Sequence, residues 1–343
     1  MSIKITNHFG IGSWRMLLAV LVAASHLWAD MLQGYAAYAV WGFYVLSGYL
    51  MTYVVSYKYG FTVGGLRNFA FNRLLRIYPS YYVAFAFGVV AIMWLNANGV
   101  NSARLNPEMG LPVSFFWINP ITLLPIFPRT SLPVAVSSAL SIEIGAYFLI
   151  PIMARWVRVA WLTLAISGIY SLSHGLMPAS FADRYALFLP CLMTFTTGSL
   201  VCHYRESLLR WSMPCLSVLI WLLHGLIWLY LSSYPWTIGL YASMLLSAWV
   251  TLSLTSQASS KVDAVLGDMS YPMYLLHTIV GALLLAYFGY DRAFSFFLTS
   301  FVITLLLAWL MAIGFERKLH RFKREGRRAA AAPSSANLVS SSK

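Results

Sequence analysis

The chain is patterned as a succession of long apolar runs separated by short polar or basic connections. The runs are continuous rather than alternating, so the period-two signal of a membrane β-barrel is missing. Each run approaches the ~20 residues that an α-helix needs to cross a hydrocarbon core. Segmentation predicts about ten transmembrane helices, at roughly 14–31, 38–57, 77–95, 137–153, 159–174, 185–203, 213–231, 237–255, 271–288 and 294–314. The expected fold is an all-α polytopic membrane protein with one transmembrane domain over 1–315 and a tail over 316–343, first basic and then disordered. The connection 96–136 is predicted to be an extracytoplasmic loop. Pro107, Pro112, Pro120, Pro125, Pro128 and Pro133 forbid a regular spanning helix there. Phe115, Phe116, Trp117 and Phe127 predict a segment packed against the outer mouth and partly re-entrant, serving as a lid or as a plug.

Composition agrees: 60% of the residues are hydrophobic and 10% charged, which excludes an ordinary soluble domain. The first run lacks a small-x-small cleavage pattern before Asp30 and is expected to be a retained helix. An even number of spans puts both termini on one side. With that side cytoplasmic, 19 of the 23 lysines and arginines lie on inner segments, and only Arg104, Arg129, Arg184 and Arg292 lie outside. The net charge of +13 is therefore accounted for by topology and calls for no nucleic acid. The basic part of the tail is expected to rest on anionic lipid headgroups. Cys191, Cys202 and Cys215 have no regular spacing, and no histidine pair is spaced i, i+4, so neither a disulfide framework nor a metal site is expected.

Ionisable groups are costly within a bilayer, which makes the few inside these runs informative. In the first run Arg15 and His26 are eleven positions apart. At about 100° per residue that is within ~20° of three full turns, so both side chains share one stripe, roughly 16 Å apart along the axis. Arg73 and Arg76 share a helix face and precede Ile77-Tyr78-Pro79. Read as the start of the third helix, they would add guanidinium forks to helix-end N–H groups, a combination suited to phosphate; the plainer role is a positive-inside anchor. Gly42, Ser47 and Gly48 in the second run permit close helix approach. Glu143 is the one acidic residue placed well inside a span, and it should be paired, protonated or functional. His277 closes the stretch Ser270-Tyr271-Pro272-Met273-Tyr274-Leu275-Leu276-His277 as a second intramembrane imidazole. No Walker-type loop, dinucleotide fingerprint or serine-hydrolase elbow is present.

Together these segments resemble the membrane-bound acyltransferase-3 family. Its hallmark is an arginine, ten residues and a histidine in the first helix, matched by Arg15 and His26. A serine-glycine motif is matched by Phe43-Tyr44-Val45-Leu46-Ser47-Gly48-Tyr49, an arginine pair before Ile-x-Pro by Arg73, Arg76, Ile77 and Pro79, and a Ser-Tyr-Pro-x-Tyr-Leu-x-His stretch by Ser270 through His277. The four run in order through nearly the whole membrane region. The chain departs from the family in its fourth helix, where Ser138 and Ala139 stand in place of Trp-Ser and Glu143 is followed by Ile144 rather than a second glutamate. A fused extracytoplasmic hydrolase-like domain, present in some members, is not expected.

The resemblance implies an O-acetyltransferase of the bacterial inner membrane, moving acetyl from cytoplasmic acetyl-CoA to a hydroxyl of an envelope carbohydrate such as a lipid-linked or surface polysaccharide, O-antigen included. It implies His26 as general base, with Glu143 orienting His26 or Arg15 and His277 supporting the acceptor side. Arg15, Arg73, Arg76 and Ser47 would serve the donor. The partners expected are acyl-CoA, a carbohydrate acceptor and membrane lipid. A transporter or flippase of an amphipathic solute is the alternative, although no paired halves with matching broken helices are seen. A lipid-sugar glycosyltransferase would need outer acidic residues, of which only Asp30 qualifies.

Overall fold

The computed structural model describes residues 9–127, 131–257, 259–289 and 291–324. Lys4, Pro128, Arg129, and the tail beyond 324 with the disorder expected of Ala329–Lys343, lie outside the described residues. The described residues are predominantly helical, and among them there is no strand. The helices are α1 (Ile11–Leu27), α2 (Tyr35–Val54, continued by a π-turn over Val55–Tyr59), α3 (Val63–Ala97), the short α4 (Ile118–Thr122), α5 (Ser137–Arg155), α6 (Val157–Ser173), α7 (Phe181–Tyr185), α8 (Phe188–His203), α9 (Arg205–Leu208), α10 (Pro214–Gly225), α11 (Ile238–Thr255), α12 (Lys261–Phe288) and α13 (Phe294–Met311). Among the described residues six helices are long and apolar enough to span a bilayer, or eight if each of two bent pairs is one span. The pairs bend by 68° before α8 and by 79° before α10. The apolar helices α1 and α6 have 17 residues each, near the short limit of ~17 for a span. The chain is an all-α polytopic membrane protein.

Several predicted boundaries move, and each move has a local cause. α3 begins at Val63 rather than near 77, because the Thr62 hydroxyl accepts a hydrogen bond from Gly65 N at 3.1 Å and caps a polar first stretch that hydropathy does not register. Arg73 and Arg76 are therefore ten and thirteen residues into the helix, and the predicted help from helix-end N–H groups does not apply to them. Pro79 likewise lies inside the helix. α12 begins at Lys261 rather than 271, capped by Ser260, whose hydroxyl accepts from Asp263 N. α1 ends at Leu27 rather than 31, which leaves His26 one residue from its end.

α2 packs along α8, α1 along α12, and α12 along α13. The α2–α8 crossing needs two glycines: a Cβ on Gly48 would stand 2.0 Å from Phe195 O, and one on Gly198 would stand 2.0 Å from Val45 O. Backbones meeting this closely are the membrane form of small-residue packing. The α1–α12 seam is closed by Asp263. Its carboxylate, 1% exposed, accepts from Gly10 N (2.9 Å), Gly12 N (3.2 Å), Ser13 N (2.7 Å), Ser13 Oγ (2.8 Å) and Ser259 Oγ (2.8 Å). An acid from α12 thus satisfies the orphan N–H groups of α1 and sits favourably at its positive end. Asn72 of α3 holds the chain beyond α13, donating to Arg324 O at 2.8 Å and accepting from Arg324 N at 2.9 Å. The beginnings of α1 and α12 thus lie together; this end, which carries Arg205, is called the basic face below.

The proline-rich connection folds back along α3. The hydroxyls of Tyr78, Tyr81 and Tyr82 donate to the carbonyls of Thr122 (2.6 Å), Pro120 (2.6 Å) and Ile121 (2.8 Å). Tyr82 is fifteen residues before Ala97, so the connection returns by roughly 22 Å along the helix. Asn119 satisfies the turn from within, donating to Phe127 O and accepting from Ile126 N and Phe127 N. Irregular backbone at this depth is tolerable because its polar groups are paired with protein.

Candidate active site

α1 carries the two ends of the site. Arg15, half-buried, lines a cleft of about 110 Å³ together with Ser47 of α2, Arg73 and Arg76 of α3, Glu143 and Tyr147 of α5, and Tyr271 and Tyr274 of α12. All four residues expected to serve the donor meet here, drawn from three helices. The lining side chains include three guanidinium groups and one carboxylate, a set whose chemistry suits an anion with several negative charges. Arg73 Nε is buried without a hydrogen-bond partner among the described residues. Such a donor is costly to leave unmade.

Glu143 belongs to this cleft. It accepts a hydrogen bond from Ser47 Oγ at 2.7 Å and another, shorter, from the Tyr147 hydroxyl. It is His277, and not Glu143, that meets His26. The His26 Nδ1 and His277 Nε2 atoms are 2.9 Å apart, and the two rings lie within 11° of parallel. His277 is fully buried, and its Nδ1 lies 2.8 Å from the carbonyl oxygen of Tyr274.

These contacts assign the protons. A carbonyl oxygen can only accept, so His277 Nδ1 carries a hydrogen and donates. With both rings neutral, His277 Nε2 is then a bare acceptor and takes the hydrogen of His26 Nδ1. His26 is left with a bare lone pair on Nε2, the tautomer a general base requires. Its position is fixed from the other side by Arg292, whose Nη1 donates to the His26 carbonyl at 3.0 Å while its own carbonyl accepts from Ala29 N at 2.9 Å.

Tyr274 separates the two halves. It lines the cleft, lies one turn before His277 with ring centroids 6.1 Å apart, and meets Phe43 edge-on at 6.1 Å. Its hydroxyl donates to Val136 O at 3.1 Å, tying it to the start of α5. The residues that line the cleft stop at this ring; neither histidine is among them.

Sequence reasoning singled out neither Tyr274, Tyr147, Asp263 nor Arg292. Tyr274 lay within a recognised motif, and its aromatic position was the available signal. Asp263 and Arg292 act on α1 from 250 or more residues away and left no local mark. Among the described residues no group of three or more His, Cys, Asp or Glu is placed to hold a metal ion.

No family model, curated protein or solved structure matches the chain. The likeness to the acyltransferase-3 family therefore rests on the four motifs.

Proposed function

We propose that this chain is an inner-membrane O-acetyltransferase with ten spans and both termini in the cytoplasm, moving acetyl from acetyl-CoA to a hydroxyl of an envelope carbohydrate. The charge asymmetry favours this orientation, which makes the basic face cytoplasmic. The short helices α1 and α6 then complete the spans. The donor's phosphates bind Arg15, Arg73 and Arg76, and its thin pantetheine arm follows the cleft toward Tyr274. Glu143 and Ser47 position the arginines and the arm.

The observation that carries the reading is the contact of His26 Nδ1 with His277 Nε2 at 2.9 Å, which leaves Nε2 of His26 as the bare nitrogen, one helix turn beyond a cleft of three arginines. In the direct form of the reaction, Nε2 takes the proton of the acceptor hydroxyl as its oxygen bonds to the thioester carbonyl carbon. The C–S bond then breaks, and the departing thiolate recovers that proton from His26. The two products are the O-acetyl ester and the free thiol of CoA. The thioester must pass Tyr274 to reach His26, so the reaction requires that ring to turn aside.

The test is mass spectrometry of surface polysaccharide from cells with and without the chain, beside His26→Ala. An acetyl mass gain that falls about a thousandfold in rate with His26→Ala is expected, the scale of a lost general base. A full gain with His26→Ala in folded protein would remove the histidine from the chemistry. No gain from wild type confirmed in the membrane would turn attention to solute transport.

A further inference from the structure

A second cavity, of about 440 Å³, opens on the basic face beside the cleft and shares Arg15 and Leu50 with it. Size separates the two. Sites for small molecules and cofactors commonly occupy roughly 300–1,000 Å³. The cleft, at about 110 Å³, admits a thin chain but not a nucleotide, whereas the second cavity is within the range.

Its walls carry three kinds of recognition. Tyr49 and Tyr53, one turn apart on α2, lie with their rings 5° from parallel, and Tyr53 is 40% exposed. Such rings offer flat faces to an aromatic base. Gln257, beyond the end of α11, has its carboxamide oxygen buried without a hydrogen-bond partner among the described residues. A buried acceptor of this kind calls for a donor such as the exocyclic amine of adenine. Arg205, at the start of α9, adds a guanidinium group.

Two carboxylates also line the cavity. That of Asp263 is already taken up by the N–H groups of α1, and that of Asp268 remains nearby. They disfavour phosphates in the body of the cavity and leave those groups to the neck at Arg15, where Arg73 and Arg76 add their charge. The order from the surface inward is then base, phosphates and arm.

We infer that this cavity holds the adenine-nucleotide end of the acyl donor, with Tyr53, Gln257 and Arg205 as its binding residues. The inference rests on the donor reading given above. It is tested by calorimetry on the full chain in detergent, with CoA, pantetheine and adenosine 3′,5′-bisphosphate as probes. Arg205→Ala and Gln257→Ala should each lower the ratio of affinities for CoA and pantetheine by about tenfold, the scale of one strong polar contact. The double variant should lose measurable binding of adenosine 3′,5′-bisphosphate. Partial unfolding would weaken both full-length and truncated donor and so leave the ratio in place. An unchanged ratio in the double variant, with CoA still bound, would overturn the inference and leave the donor reading standing. A wild-type chain that binds no CoA would overturn both.

Discussion

The arginine cleft and the histidine pair sit near opposite ends of α1 and are built in opposite ways. The cleft gathers charge: three guanidinium groups from two helices converge with one carboxylate from a third, and their side chains remain partly accessible. The histidine pair carries no neighbouring carboxylate in its hydrogen bonds. Its two rings are ordered from the backbone carbonyl of Tyr274, and one of them is fully buried. An excess of charge suits holding a polyanion, because Coulombic attraction tolerates small changes of position. A chain of directed hydrogen bonds suits proton transfer, because it decides which nitrogen is bare. α1 thus links a charge-rich end to an end ordered by directed hydrogen bonds, with Tyr274 between them, and under the proposed function the first would bind and the second would react.

The division can be broken by kinetics. Replacing Arg73 and Arg76 together by alanine should raise the KM for the acyl donor about a hundredfold, with kcat at saturating donor changed only a few-fold. A loss confined to kcat would merge the cleft with the reacting end. His277→Ala should act the other way. It removes the acceptor that keeps the hydrogen on His26 Nδ1, so kcat should fall about thirtyfold while donor affinity holds. If steady-state rates with this variant match wild type, the proton assignment is wrong.

Glu143→Gln gives the smallest effect and the sharpest sign. Glutamine keeps an acceptor for Ser47 and Tyr147 but removes the carboxylate that lines the cleft with the three arginines, while Glu316 remains near Arg15 and Arg76. Donor binding should tighten by about threefold, as expected for one partly screened charge. A glutamate that oriented His26 would instead lower kcat on substitution, and equilibrium titration beside turnover separates the two.

Much of the architecture was legible without coordinates. The ten apolar runs coincide with helices or bent helix pairs. The close approach expected of Gly48 appears as its contact with Phe195. Helix ends were less legible. Hydropathy reports where a chain prefers lipid, whereas α3 and α12 begin in polar stretches fixed by the caps Thr62 and Ser260.

By itself the sequence determined the helical class and the approximate places of the apolar runs, and it supplied the candidates Arg15, His26, Ser47, Arg73, Arg76, Glu143 and His277. Each of these follows from spacing within one run or from the cost of charge in an apolar segment, and both are local quantities. Only the tertiary structure decided which candidates meet. It put Glu143 with the arginines rather than with His26, paired His26 with a ring 251 positions away, and set Asp263 on the start of α1. The reason is physical: helix formation in an apolar run is satisfied within the run, whereas a buried proton acceptor or an orphan N–H finds its partner only after the helices have packed.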